Sequence, residues 1–407
     1  MHSVIPSVLL LAGAVAAQEN MYTATATKSV AAAAATALTY SPTSDVKGKA
    51  FDRYVVIWLE NTDYDMAAGD PNLAWLASKG QTLRKYHAVT HPSQPNYVAA
   101  LGGDYFGMQN DNFDQIVANV STTVDLLENK GISWGHYQED MPFSGFEADW
   151  KNQVTGANMY VRKHNPAINF NSVAGKLDRL ALDKNLTLFY EDLENETLPQ
   201  WMFITPNMTS DGHDSTITVA GAWTRNFLEP LLDDTRFMNN TLVIVTFDEA
   251  ETYTLKNNVM AILLGDALPS ELVGTTDDNY YNHYSNIATV EANWDLHTLG
   301  RWDVGANVFK FVADLTGDTV REWNGSVAFD DIYFNSSYAG PFNTYGGNQE
   351  YPGPNTGSSG SPSKRTVLPS IKATWGNSTN PVYYTNGLET PDGQHPPAGY
   401  TPVDFLA

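Results

Sequence analysis

The sequence predicts an α/β fold, a mostly parallel sheet flanked by helices on both faces. Three observations predict it. The runs YVVIWL (Tyr54–Leu59), WMFIT (Trp201–Thr205) and LVIVTF (Leu242–Phe247) are apolar or β-branched throughout, as strands buried on two faces are. Amphipathic stretches separate them. The order strand, helix, strand recurs, and a parallel sheet needs such crossovers.

Taken in order, Tyr54–Leu59 is the first strand, and Pro71–Lys79 a helix opened by proline and stopped by Gly80. Gln81–His87 is extended, and Tyr97–Leu101 is a helix-like run. Val124–Lys130 is a second helix, ended by Gly131, followed by extended Ile132–Tyr137. Trp201–Thr205 and Leu242–Phe247 enclose the helix candidate Thr216–Leu232, and Val259–Leu264 adds a strand. After about Asp330 the chain fills with Gly, Pro, Ser and Asn, including GPNTGSSGSPS. This division gives a core domain of 51–335 and an irregular C-terminal tail of 336–407.

The 407 residues carry 46 acidic and 23 basic side chains, a net charge of −23. No basic face is available for phosphate backbones, which argues against nucleic acid as a partner. A hydrophobic share of 42% with 21 Tyr, 17 Phe and 10 Trp excludes a disordered chain. There is no cysteine, so thiol nucleophiles, disulfides and thiolate metal sites are ruled out together.

Residues 1–17 read as a secretory signal peptide, an apolar run from Val4 closing on Ala14-Val15-Ala16-Ala17 without a preceding Lys or Arg. Residues 18–50, rich in Ala, Thr and Ser, read as a weakly ordered leader. No segment reaches ~18 consecutive apolar residues, so stable membrane insertion is not expected. Asn-x-Ser/Thr sequons stand at Asn119, Asn185, Asn195, Asn239, Asn324, Asn335 and Asn377, with an eighth at Asn207. Behind a signal peptide they suggest N-linked glycans on a secreted protein, extracellular or in a cell wall.

Four polar clusters follow apolar or extended stretches: Glu60-Asn61, His91-Pro92-Ser93-Gln94-Pro95-Asn96, Asp211-Gly212-His213 and Asp248-Glu249. Ligands of open α/β sheets bind at the carboxyl ends of strands, so these clusters converge on one crevice. Glu60-Asn61 alone could also cap a helix. Two carboxylates at the rim of a buried strand are costly unless solvated, capped or bound to a cation, and oxygen donors suit a hard or borderline divalent ion. Ser93 is by default an N-cap, but a hydroxyl at a helix N-terminus beside a divalent ion can ionise and attack phosphorus. His213, His283 and His164 each have an ordinary polar reading, though their settings (DGH, NHY, KHNP) suit the same crevice.

The motifs IWLENTDYD, THPSQPNYVA, TPNMTSDGHD, VTFDEAE and HYSNIATVE occur in this order between about Phe51 and Phe311. Together they resemble the phosphoesterase family that groups fungal secreted acid phosphatases with bacterial acid phosphatases and non-specific phospholipases C. The resemblance implies an alkaline-phosphatase-like fold, a catalytic domain over 51–335 and a phosphate-ester substrate. It places the nucleophile on Ser93, a phosphate donor on Asn96, and metal ligands on Glu60, Asn61, Ser93, Asp248 and Glu249. Asp211, His213 and His283 fall where two-metal relatives hold a second ion, so the cofactor is one or two divalent ions. His164 is assigned to phosphate or leaving-group contact, with His164 or His283 as the proton donor.

The implied reaction is hydrolysis of phosphate monoesters on small phosphorylated substrates through a phosphoserine. A phospholipase C or phosphodiesterase of the same family and a non-catalytic wall glycoprotein are the competing readings. The Arg-His-Gly run of histidine acid phosphatases is absent, no Gly-x-Ser-x-Gly elbow occurs, and Tyr97 stands where a sulfatase would carry Arg four residues after its nucleophile.

Overall fold

The computed structural model describes residues 21–321, 336–337, 340–343, 350–360, 364–384 and 403–404. The expected signal peptide and the sequons at Asn324 and Asn335 lie outside them. Eight strands form the main sheet: β1 (Arg53–Leu59), β2 (Gln81–His87), β3 (Trp134–Gln138), β4 (Asp183–Asn185), β5 (Trp201–Thr205), β6 (Thr241–Phe247), β7 (Ala261–Leu264) and β8 (Thr276–Asn282). Their spatial order is β8-β2-β7-β6-β1-β5-β3-β4. Only β7 runs antiparallel to its neighbours. Seven strands therefore end at the same edge.

Tyr54–Leu59, Trp201–Thr205 and Thr241–Phe247 are buried along their whole length, which is why their sequences show no polar alternation. On one side Tyr54, Val56, Trp58 and Phe203 meet Ala100, Thr123, Ile287 and Val290. These come from helices α3 (Ser93–Gly102), α4 (Thr123–Lys130) and α6 (His283–Trp294). On the other side α2 (Pro71–Ala77) packs on α5 (Ile217–Leu228). Each fully buried aliphatic or aromatic side chain contributes about 1.5–3 kcal/mol, enough to hold the domain without disulfides.

Three segments differ from expectation. The serine helix begins at Ser93 rather than Tyr97, with Pro92 as its N-cap, so Ser93 is a first-turn residue and not a cap. Residues 21–50 are not a weakly ordered leader. They form helix α1 (Thr27–Ala34) and then a strap: the Tyr40 amide donates to Ala181 O at 2.9 Å, Val46 N to Gln200 Oε1 at 2.8 Å and Ala50 N to Asn293 Oδ1 at 2.8 Å. The strap has no apolar pattern of its own because its fixings are long-range hydrogen bonds. The tail also contributes structure. Helix α7 (Pro369–Trp375) buries Ile371, and Trp375 Nε1 donates to Asn119 O at 3.0 Å. No helix among the described residues is long and apolar enough to cross a membrane.

Candidate active site

The register between β1 and β6 pairs Leu59 with Phe247, so Glu60 and Asp248 leave the sheet side by side. Pairing continues past the strand ends: Asp248 N donates to Leu59 O at 2.9 Å, Thr62 N to Glu249 O at 3.1 Å and Glu60 N to Asp211 O at 3.0 Å. Backbone hydrogen bonds thus fix the start of all three acidic segments.

Ser93 faces this edge from the first turn of α3. Its hydroxyl donates to Glu60 Oε2 at 3.1 Å, with Asn61 Oδ1 at 3.3 Å. Asn61 is oriented by its own amide, which donates to Glu249 Oε1 at 2.9 Å. Neither oxygen of Asp248 receives a well-aligned hydrogen bond, although the Ser93 hydroxyl and the Glu249 amide lie near enough to draw its pKa down. Glu60, Asn61, Ser93, Asp248 and Glu249 are therefore linked in pairs along one sheet edge.

Burial raises the carboxyl pKa of Glu60, Asp211, Asp248 and Glu249; the Glu60 charge raises the other three further. Lys163 and His213 pull Glu60 back, as do the hydroxyls of Tyr97 and Ser93. Burial, then the charges of Lys163 and His213, push the His164 imidazole well below its usual range. Buried carboxylates this close to one another are relieved by proton uptake or by a cation, and their oxygen donors suit a divalent ion. The residues present fit such a group.

A second set adjoins the first. His164 Nε2 lies 3.3 Å from Glu60 Oε1 and its Nδ1 lies 3.6 Å from Asp211 Oδ2. Ligand atoms of Glu60, His164 and His213 fall within 4.8 Å of one another. His213 sits at the mouth, its side chain 30% exposed and its Nδ1 2.8 Å from Asp214 Oδ1. Asp211 Oδ1 accepts from the His213 amide at 2.8 Å.

Two expected site residues are placed elsewhere. Asn96 does not face the crevice as a phosphate donor: its Oδ1 accepts from Val89 N and Thr90 N, and its Nδ2 donates to Thr90 O and Pro92 O. Its whole carboxamide is spent shaping the turn before Ser93. His283 is neither a proton donor at the crevice nor a second-ion ligand here. It is buried between Trp58 and Tyr86, with Nε2 2.6 Å from the Asp248 carbonyl oxygen and Nδ1 3.2 Å from the Tyr86 hydroxyl. It braces Asp248 from behind.

Sequence reasoning missed several neighbours. Tyr97, one helical turn after Ser93, donates its hydroxyl to Glu60 Oε1 and stacks on His164 at 5.1 Å; the i, i+4 spacing from Ser93 was the available signal. His91 Nδ1 lies 2.5 Å from Glu249 Oε2. Lys163 and Asp111 also belong to this edge.

The turn Arg162–His164 is tied to β4 through Asn165, whose Nδ2 donates to Asp183 Oδ2 at 2.6 Å. Burial and then nearby Glu147 push the Asp183 carboxyl up to about 7, against the Asn165 hydrogen bond, which lowers it. Because the folded-state pKa exceeds the unfolded one, stability from this group is fully present below the unfolded pKa of ~3.9 and is lost as pH rises through about 7. Asp183→Asn should flatten the fall of melting temperature between pH 4 and about 7, removing a change of at most roughly 4 kcal/mol. Calorimetry across that range on both proteins checks it; parallel curves would show that Asp183 carries no such term.

A family model described as the phosphoesterase family matches residues 71–297. The chain belongs to the phosphoesterase family. It is 55% identical to the phosphate-repressible acid phosphatase of Penicillium chrysogenum, over 77% of this chain and 75% of that one. It is 52% identical to an acid phosphatase of Aspergillus fumigatus, over 77% of this chain and 69% of that one. Among solved structures, a protein in the alkaline phosphatase superfamily from Vibrio parahaemolyticus is similar over 65% of this chain and 73% of that one, with 12% identity and a TM-score of 0.39. In this phosphoesterase the matched span takes in Ser93, Asp211 and Asp248 but begins after Glu60 and Asn61, which the β1 register and their hydrogen bonds to Ser93, Asp211 and Glu249 bring into the site.

Proposed function

We propose that this phosphoesterase is a secreted, metal-dependent acid phosphatase that hydrolyses phosphate monoesters through Ser93. The enzyme class, a phosphoric monoester hydrolase, rests on relatives with about half identity over three-quarters of the chain. The observation that carries the mechanism is the Ser93 hydroxyl at a helix N-terminus, 3.1 Å from Glu60 Oε2.

A divalent ion held by Glu60, Asn61, Ser93, Asp248 and Glu249 would supply positive charge that favours serine ionisation and offsets the charge on the phosphoryl oxygens. Ser93 Oγ attacks phosphorus in line as the bond from phosphorus to the alcohol oxygen breaks, and Glu60 Oε2 is placed to take the serine proton. With one ion bound, His213, at the mouth and held by Asp214, gives a proton to the departing alkoxide; with a second ion on His213, a water supplies it. Water then attacks the phosphoserine, phosphate leaves, and Ser93 Oγ regains its proton. His164 is buried against Glu60 and stacked on Tyr97. It orients Glu60, and with His213 it offers the place for a second ion.

Secretion is supported by the N-terminal apolar run and by exposed sequons at Asn119, Asn195, Asn239 and Asn377. Asn185 is different. Its Nδ2 donates to Met141 O at 2.5 Å and its Oδ1 accepts from Thr187 N at 2.8 Å, so a glycan there would have to displace the Met141 hydrogen bond.

Acid quenching during turnover, followed by peptide mass spectrometry, should find phosphate on the peptide holding Ser93. A phosphate on another residue, or none under single-turnover conditions, would overturn the nucleophile assignment. The same preparation should hydrolyse a monoester faster than phosphatidylcholine; the reverse order favours the phospholipase C reading. Metal analysis reads the ion count: one per chain assigns the oxygen set alone, and two assign the His164–His213 set as well.

A further inference from the structure

Between the serine helix and the Arg162–His164 turn runs an exposed stretch around Asp111, whose carboxylate holds two donors at once. Oδ1 accepts from the Gln94 amide at 3.0 Å and Oδ2 from Lys163 Nζ at 2.8 Å. Gln94 directly follows Ser93 in the first turn of the ten-residue helix α3, where amide N–H groups lack helical acceptors and the dipole favours an anion. Lys163 is the cation whose charge reaches Glu60, Asp248 and Glu249. An anionic group bonded to Ser93 Oγ would therefore meet the same N–H and the same ammonium that Asp111 now occupies.

We propose that Asp111 is an internal stand-in for the substrate phosphate. It keeps Lys163 and the Gln94 amide in position, and an arriving phosphate displaces it and takes both donors. Lys163 is then a substrate-binding residue that contacts a phosphoryl oxygen, and Asp111 a positioning residue that competes with the ligand. This deepens the Ser93 reading and rests on it.

Three features make the exchange feasible. The pair is partly solvated, with side-chain exposures of 31% for Asp111 and 20% for Lys163, so the carboxylate can return to water at little cost. The surrounding backbone is anchored independently: Arg162 Nη2 donates to Asp114 O at 2.7 Å, and its guanidinium lies 4.2 Å from the Phe113 ring centroid. Rotation of the Asp111 side chain suffices. Finally, a bound phosphate and an unmoved carboxylate would repel one another across the same two donors. Return of Asp111 then opposes product phosphate and favours its release.

The test uses inorganic phosphate on the full-length, metal-loaded protein, by calorimetric titration and by competitive inhibition. Asp111→Asn can still accept from Gln94 N but no longer offers Lys163 a charge. It should bind phosphate about two- to fivefold more tightly, the gain from losing an exposed competing ion pair, with KM falling in parallel. Lys163→Met should weaken phosphate binding about tenfold or more, the cost of a charged hydrogen bond, and Lys163→Arg should restore most of it. Weaker or unchanged phosphate binding in Asp111→Asn would show that Asp111 merely braces Lys163, and would overturn the proposal. So would unchanged binding in folded Lys163→Met. Failure of the Ser93 reading is separable, because it would appear as retained turnover in Ser93→Ala whatever Asp111 does.

Discussion

Ser93→Ala should lower turnover of a phosphate monoester on the order of 10³-fold or more while leaving the melting temperature nearly unchanged, since loss of a covalent nucleophile is among the largest single effects on an enzyme. The hydroxyl is buried and donates to Glu60, but it is one of several groups around that carboxylate. Tyr97 still donates to Glu60 Oε1 when the serine oxygen is gone. The helix should survive too, because Ser93 makes no capping bond and Pro92 sets its start. Steady-state assay beside differential scanning calorimetry reads both halves. A folded variant with wild-type turnover would remove Ser93 from the chemistry and leave the non-catalytic glycoprotein reading in front.

Asp248→Asn should have opposite effects on activity and on metal-free stability. Neither Asp248 oxygen has a well-aligned donor, and burial followed by the charges of Glu60 and Glu249 raises its carboxyl pKa. Without an ion this buried carboxyl must either hold charge among like charges or take up a proton, so the amide should raise the stability of the chelated protein near pH 7 on the order of 1–4 kcal/mol. With an ion it is a lost ligand. Mutating even an outer partner of a metal site costs about 10–100-fold, so turnover and metal retention should fall at least about 100-fold. Melting curves after chelation, metal analysis after dialysis and turnover test the three statements together. A chelated variant that melts below chelated wild type would mean that Asp248 is held by groups other than an ion.

The strands and the edge they build were legible because burial on two faces forces continuous apolar runs, and the acids that end those runs are conspicuous for that reason. Glu60, Asp248 and Ser93 could be brought together from sequence, since parallel strands all end on one side. The direction of each side chain could not. Asn96 turns back to the Thr90 and Pro92 carbonyls, and His283 turns under Trp58 to the Asp248 carbonyl. Nothing in a three- or four-residue spacing encodes either choice. Tyr97 and Lys163 stood next to recognised motifs but had ordinary readings. The strap of 21–50 and helix α7 were hidden for another reason: long-range hydrogen bonds and a few tail aromatics leave no periodic trace.

That strap and helix α7 also bear on how the chain matures. Val46 and Ala50 fasten to Gln200 and Asn293, and Trp375 fastens to Asn119, so both outlying segments close over the middle of the sequence. Assembly cannot finish while the polypeptide is still being delivered. The sheet is complete in the chain by Asn282, but this last contact waits for helix α7, and until then the surface around Asn119 is the stretch a chaperone must keep from sticking to its neighbours.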